Sequence, residues 1–458
     1  MIDVKDISKA HFLGIGGIGM SAIARYFSSL GIVVSGYDRT PTDFTALLES
    51  EGMSIHYTED VTLIPKDVDM VVYTPAIPAD NVELIYCRSL NVPMLKRSEL
   101  LGIITHNKIT LAIGGTHGKT TITSMVAHIL YSSGRSCTAF IGGICLNYQS
   151  NFIASGEEIF IVEADEYDRS FLHLFPTAAI ITSTDADHLD IYGTVADMKA
   201  AYCQFAAQIS HKGILITHPR AGIKSTSAET ALYSMDSEVT DITISGLHTQ
   251  GGDYCYDIID KQRNTSTAIH LRIGGLHNVE NTVAAFALCR FMGIEAEAIA
   301  TALDSFKGIQ RRFEYLHRSE DLTVIDDYAH HPEELSATIR SVRSLYPHKK
   351  MTLIFQPHLY SRTRDLCAGF IESLHEADQV LLMEIYPARE LPLPGITAGI
   401  ILDGLENSTG EVYDHLTIYD ALEKYKPELL VITGAGDIGE VREKLTAFLL
   451  NIKSSSLL

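Results

Sequence analysis

The sequence has no excess of positive charge, no paired cysteines and no long apolar run, and each absence removes a class of function. Its formal net charge is −21 over 458 residues. Nucleic acid and anionic membrane both require a basic footprint, so neither is expected as a partner. The seven cysteines (87, 137, 145, 203, 255, 289 and 367) are scattered, with no Cys-x-x-Cys pair. That pattern reads as buried, reduced thiols. No stretch is long enough to span a bilayer, and the mixed-charge opening MIDVKDISKA does not read as a leader. The expectation is a cytoplasmic protein without membrane insertion. An acidic chain that handles phosphates must draw local positive potential from a few Lys and Arg side chains, helix N-termini and metal ions.

What is present is a repeated strand–helix rhythm. The run His11-Phe12-Leu13 leads into Gly14-Ile15-Gly16-Gly17-Ile18-Gly19, and Met20, Ile23, Ala24 and Phe27 then follow at helical spacing. Ile32-Val33-Val34 and Met70-Val71-Val72-Tyr73 read as further strands. After the polar stretch 105–108 a second segment begins with Ile109-Thr110-Leu111-Ala112-Ile113. Its next helix carries Ile122, Met125, Val126, Ile129 and Leu130 on one face. Between about 230 and 275 short alternating runs separated by Gly predict an antiparallel addition. A third α/β segment starts near 317, with a helix near Pro332 that turns Leu335, Ile339 and Val342 inward. Alternation of this kind predicts parallel sheets flanked by helices. The expected fold class is α/β, with three domains in series over 1–107, 108–316 and 317–458. The first and third are read as Rossmann-like, and the second as a phosphate-loop domain with the antiparallel addition.

The strongest local signal is Gly114-Gly115-Thr116-His117-Gly118-Lys119-Thr120-Thr121, set between an apolar strand and an amphipathic helix. Backbone N–H groups of such a loop face phosphate oxygens, Lys119 can reach the β- and γ-phosphates, and the Thr120 hydroxyl suits Mg²⁺. Ile113 stands where the usual motif has its first glycine, so a shortened loop is expected. Gly14-x-Gly16-x-x-Gly19, with Asp38 ending the second strand, fits a nucleotide diphosphate or simply a tight turn. Two acidic clusters, Glu163-Ala164-Asp165-Glu166-Tyr167-Asp168 and Asp185-Ala186-Asp187-His188-Leu189-Asp190, stand at strand ends where ligands bind. A carboxylate there suits Mg²⁺, while His188 is by chemistry a poorer ligand for it. The remaining acids read as solvated loop residues.

Seven ordered blocks resemble the Mur ligases, the enzymes that build the peptide stem of peptidoglycan. They are residues 14–20, 115–121, 163–166, 187–190, His277-Asn278-Val279-Glu280-Asn281, Arg311-Arg312-Phe313-Glu314 together with Asp326-Asp327-Tyr328-Ala329-His330-His331-Pro332, and Phe355-Gln356-Pro357-His358. The resemblance covers nearly the whole chain. It implies an ATP-dependent ligase joining L-alanine to the carboxylate of UDP-N-acetylmuramate, with Mg²⁺ as cofactor and two ions expected. Carried over to matching positions, Gly115, Thr116, His117, Gly118, Lys119, Thr120 and Thr121 bind ATP. Asn278 and Asn281 contact its adenine side, and Arg312 and Asp327 complete its site. Thr120, Glu163 and His188 hold the metal, and Lys119, His188, Glu163 and Arg312 are the catalytic set. Gly14, Gly16, Gly17, Gly19 and Asp38 bind the UDP-sugar, joined by His56. Tyr328, His330, His358 and Arg362 bind the amino acid.

Two departures stand out. Ala200-Ala201-Tyr202 places tyrosine where related ligases carry a carbamate-modified lysine, and Lys199 is out of register, so no carbamate is expected. Leu359 follows Gln-Pro-His where the family often has arginine, which shifts carboxylate recognition to Arg362 or Arg364. His330 and His358 both stand as candidate bases, and monomer and homodimer both remain open. A nicotinamide-dependent oxidoreductase would leave Lys119 and both acidic clusters unexplained. A non-catalytic regulator would require a lost catalytic group, and none is missing. A ligase that attaches a preformed peptide to the same sugar nucleotide differs in its amino-acid pocket.

Overall fold

A computed structural model of the chain describes residues 4–186, 189–236, 239–388 and 390–455. Its first sheet contains β1 (Lys9–Leu13), β2 (Val33–Tyr37), β3 (Ser54–His56), β4 (Met70–Tyr73) and β5 (Met94–Lys96), in the order β3-β2-β1-β4-β5. Every pairing in it is parallel. The second sheet contains β6 (Ile109–Gly114), β7 (Cys137–Cys145), β8 (Ser150–Ala154), β9 (Ile159–Ala164), β10 (Ala178–Ile181), β11 (Ile214–Thr217) and β12 (Glu229–Leu232). Its order is β12-β11-β10-β6-β9-β7-β8, parallel except where β8 turns back on β7. A small sheet follows, made of β13 (Ile242–Gln250), β14 (Asp253–Asp260) and β15 (Thr265–Leu271) in chain order. The two-residue link Gly251-Gly252 between β13 and β14 is a hairpin connection. Burial along β14 alternates residue by residue, as a sheet with one covered face requires. The last sheet contains β16 (Glu314–Arg318), β17 (Thr323–Asp327), β18 (Met351–Phe355), β19 (Gln379–Met383), β20 (Ser408–Tyr413) and β21 (Leu429–Thr433). It runs β16-β17-β21-β18-β19-β20, with only β16 antiparallel to its neighbour. The α/β class expected from the sequence is what these sheets display.

The chain divides into two compact units. One comprises Met1–Leu247, Tyr256–Ile269 and Glu280–Phe306, and the other His248–Cys255, His270–Val279 and Lys307–Leu458. In the first unit the two parallel sheets share a core. Tyr26, on the helix Ile18–Ser29, meets Phe140 of β7 and Phe160 of β9 edge-on at 5.7 and 6.1 Å between ring centres. Asn151 of β8 locks the same helix by donating to the carbonyl of Ile18 at 2.6 Å. Rings buried to this degree each contribute about 1.5–3 kcal/mol, which helps hold the first two sheets together in one compact unit. In the second unit Pro332 opens the helix Pro332–Leu345, where its missing N–H costs nothing. Glu334 reaches back to accept from the N–H groups of His330 and His331 at 3.0 and 3.2 Å. Leu335, Ile339 and Val342 are buried, as their spacing predicts.

Among the described residues no helix is long and apolar enough to cross a membrane. Cys87, Cys137, Cys145 and Cys289 are buried thiols, but Cys203 is exposed and Cys255 and Cys367 are half-buried. The expectation of uniform burial fails there. Cys203 lies on the helix Val195–Ala207, whose buried residues are Met198, Ala201, Tyr202, Phe205 and Ala206, so it falls on the other face.

Candidate active site

The first unit gathers its chemistry at the carboxyl ends of β6, β9 and β10. Ile113 is still strand, paired with Glu163 on one side and Ile180 on the other, so the shortened loop runs only to Gly118 before the helix Lys119–Ser132 begins. Its glycines are needed for their shape. Gly115 and Gly118 have φ of 116° and 81°. A Cβ would stand 2.1 Å from Thr182 Oγ1 at the first and 2.5 Å from Asn281 Oδ1 at the second. Thr182 donates to the His117 carbonyl at 2.6 Å and Thr116 donates to that of Asp185 at 3.2 Å, which fixes the loop's curve. The His117 ring itself is exposed. Thr121 lies in the first turn of the helix.

Lys119 heads that helix, and its Nζ donates to both oxygens of Glu166 and to the Gly115 carbonyl, all at 2.8 Å. Glu166 is buried, contrary to the reading of its cluster as solvated acids. The backbone explains this, because the loop turns inward and Tyr192 pins the Glu166 carbonyl at 2.6 Å. Glu163 accepts from Thr120 Oγ1 at 3.2 Å and from the Gly142 N–H at 2.5 Å. Burial pushes its carboxyl above the usual range, against the hydrogen bond from Gly142 and the nearby charge of Lys119. A Cβ on Gly142 would stand 2.6 Å from Glu163 Oε2, so a larger residue there would push the carboxylate aside. A half-buried carboxylate beside a hydroxyl and a phosphate loop fits Mg²⁺, which takes one or two protein oxygens and fills its shell with phosphates and water. His188 lies outside the described residues. Among those described, no three His, Cys, Asp or Glu side chains converge as a metal cluster. Tyr202 is buried against Phe171, with ring centres 5.1 Å apart, and Lys199 ends beside Gly222.

At the first sheet the chain reverses strand order between β1 and β4, and the loop leaving β1 carries the other glycines. Gly14 has φ of 85°, and a Cβ on it would meet Thr74 Cγ2 at 2.7 Å. Asp38 accepts from the Gly16 N–H at 2.8 Å. Gly17 starts the following helix without a side-chain cap, and Gly19 lies in its first turn. His56, at the end of β3, pairs through Nε2 with buried Glu83 at 2.8 Å and stacks on His11.

The second unit brings together Tyr328, His330 and His358. The His330 ring centre lies 5.2 Å from that of Tyr328 and 6.1 Å from that of His358, which stacks on Tyr386 at 5.8 Å. Burial lowers the His330 pKa below its ordinary value. Arg362 Nη1 is buried without a hydrogen-bond partner, whereas Arg364 is exposed and tied to neighbouring Asp365 at 2.7 Å. Of the two arginines, only Arg362 has a buried donor to offer. Arg312 lies with its guanidinium 5.7 Å from the centre of the Tyr328 ring. Asp327 accepts from the N–H groups of Phe313 and Ala329, both at 2.8 Å. Burial pushes its carboxyl up to about 6, opposed by Arg312. Asn278 is buried in this unit and donates to the Gly274 carbonyl at 2.7 Å. Sequence reasoning missed Glu166, Gly142, Thr182 and Tyr386. Only Glu166 lay inside a block already singled out.

A lysine at the head of a helix, with a hydroxyl and a buried carboxylate beside it at the ends of parallel strands, defines the class: an α/β enzyme built around a phosphate-binding loop. Comparison with known proteins carries this to a family. The Mur ligase family catalytic domain matches residues 9–109, the Mur ligase middle domain 113–289, and the Mur ligase glutamate ligase domain 311–436. A UDP-N-acetylmuramate–L-alanine ligase of Christiangramia forsetii is 41% identical over 98% of this chain and all of its own length. Its counterpart from Flavobacterium johnsoniae is 44% identical over 96% of this chain and 97% of its own. The crystal structure of UDP-N-acetylmuramate-alanine ligase from Thermotoga maritima superposes with a TM-score of 0.82 at 28% identity, covering 98% of this chain and 99% of that one. The chain belongs to the Mur ligase family, and it is an ATP-dependent ligase.

Proposed function

We propose that this enzyme joins L-alanine to the carboxylate of UDP-N-acetylmuramate in the cytoplasm, an early step of peptidoglycan synthesis. The observation that carries the reading is identity of 41–44% along nearly the whole chain to relatives bearing that activity in their names. The chemistry follows from the substrates. A carboxylate is a poor acyl donor because oxide would have to leave. Its oxygen attacks the γ-phosphorus of ATP and ADP departs, giving an acyl phosphate. The amine of alanine then adds to the acyl carbon, and the tetrahedral intermediate collapses by expelling phosphate. Catalysis on this route is mostly positioning and charge stabilisation.

Lys119 takes the growing charge on the transferred phosphoryl group, exchanging Glu166 for phosphate oxygens. Thr120 and Glu163, with His188, hold Mg²⁺, which when bound neutralises phosphate charge. Gly115 to Thr121, Asn278, Asn281, Arg312 and Asp327 are the ATP-binding residues that the family resemblance implies. Gly14, Gly16, Gly17, Gly19, Asp38 and His56 take the UDP-sugar. Tyr328, His330, His358 and Arg362 take alanine, with Arg362 on its carboxylate. His330 is a candidate base, because burial lowers its pKa below the ordinary value and so favours the neutral ring that can accept the amine's proton.

The test is a substrate panel read by mass spectrometry. ATP and UDP-N-acetylmuramate are supplied with alanine, glycine, serine or a stem tripeptide. The amide of alanine should dominate. A tripeptide product in preference to it would move the enzyme to the peptide-attaching ligases.

A further inference from the structure

Two adjacent acids on the loop after β9 each hold a cation that lies beside a different glycine-rich loop. Glu166 holds Lys119, as described above. Its neighbour Asp165 holds Arg97, with Nη2 3.2 Å from Oδ2. Arg97 opens the helix Arg97–Thr105, and its guanidinium lies against Gly19. A Cβ on Gly19 would stand 2.9 Å from Nη1 and 3.3 Å from both Cδ and Cζ. Gly19 is the second residue of a twelve-residue helix whose cap, Gly17, offers no side-chain acceptor. A planar fork of donors, suited to two phosphate oxygens, therefore lies beside unsatisfied backbone N–H groups. Nothing in the Gly-x-Gly-x-x-Gly pattern points to this arginine, which stands 78 residues further on.

We propose that Arg97 is a phosphate-binding residue of the nucleotide-sugar site, and that Asp165 holds it until a diphosphate displaces the carboxylate. The proposal rests on the reading of Gly14 to Gly19 as the UDP-sugar site. The Arg97–Asp165 pair is solvent-screened, with side chains 25% and 36% exposed, so its attraction is modest. A diphosphate offers more charge and the same bidentate geometry. The exchange leaves the acidic loop anchored. Lys96 holds Asp168 at 3.0 Å, the Tyr167 N–H donates to Asp165 Oδ1 at 3.1 Å, and the Phe171 N–H donates to the Asp165 carbonyl at 2.9 Å.

If Arg97 is only a strut between loop and helix, removing its partner weakens the UDP site or leaves it unchanged. If Asp165 competes with the diphosphate, removing its charge tightens the site. The two accounts differ in sign, and calorimetric titration of UDP and of UDP-N-acetylmuramate into the full chain, without ATP, reads that sign. Arg97→Met should weaken both ligands by about tenfold or more. Asp165→Asn should tighten them by about two- to fivefold, and the double variant should follow Arg97→Met. Asp165→Asn keeps the shape of the side chain, so this arm decides even if Arg97→Met unfolds. No tightening with Asp165→Asn, or Arg97→Met within twofold of the parent, overturns the assignment. Failure of the parent to bind UDP-N-acetylmuramate would instead sink the reading of the glycine loop itself.

Discussion

The phosphate loop after β6 and the turn before β16 both present a cation from a bent backbone, but they hold the bend by opposite means. The first uses glycine, at 115 and 118. The second uses Arg311 and Phe313, at φ of 59° and 48°, with Arg312 between them. Left-handed backbone costs a residue with a side chain about 1–2 kcal/mol, so the second turn needs outside support. Glu314 accepts from the Arg311 N–H and Asp327 from the Phe313 N–H, both at 2.8 Å. The Arg311 side chain reaches Asp326 at 3.3 Å and the Gly434 carbonyl at 2.5 Å. Arg442 is buried between Glu314 and Asp326. One loop takes its left-handed turns from its own glycines, whereas the other holds them through carboxylates 3 to 15 residues further on, two of which are paired by an arginine over a hundred positions away.

The comparison can be broken most severely at the cation of the first loop. Lys119→Ala should lower product formation by about a thousandfold or more, with UDP-sugar affinity within about twofold by calorimetry. Lost UDP-sugar binding alongside normal ATP turnover would contradict the division of labour. In the second loop the vulnerable point is remote. Arg442→Met leaves Glu314 and Asp326 buried without that cation, and urea unfolding should show a loss of about 3–5 kcal/mol. Adding Asp326→Asn should return part of it, whereas a fully additive double variant would mean the network does not act as a unit. A smaller effect is expected at Gly118. Gly118→Ala should cost about 1–2 kcal/mol of backbone strain and raise KM for ATP. Asn281→Ala in the same chain should relieve the clash and leave the strain, so complete recovery would show that φ is not what the glycine supplies. The mildest test is pH. Because burial lowers the His330 pKa, the acid limb of kcat should fall below pH 6.5, and His330→Gln should remove it. A limb that survives the substitution belongs to another group.

The same contrast explains what the sequence made legible. Strands such as 109–113, the glycine loop and Glu163 announce themselves through apolar runs, turn residues and spacing. Glu166 could not be recognised as buried, because its loop turns inward through Asp168 and Arg169 at φ of 52° and 54° and no glycine marks the bend. Arg97 and Arg442 act through partners 68 and 116 or more residues away in the chain, and such pairings leave no local pattern. Leu359, where the family often has arginine, was visible as a departure. The buried donor of Arg362 became apparent only in three dimensions.

In this mechanism ATP activates the sugar's carboxylate as an acyl phosphate, and oxygen labelling tests that directly. With both carboxylate oxygens of UDP-N-acetylmuramate carrying ¹⁸O, one label should appear in the released phosphate and one should remain in the amide. Unlabelled phosphate accompanying normal amide formation would contradict the account.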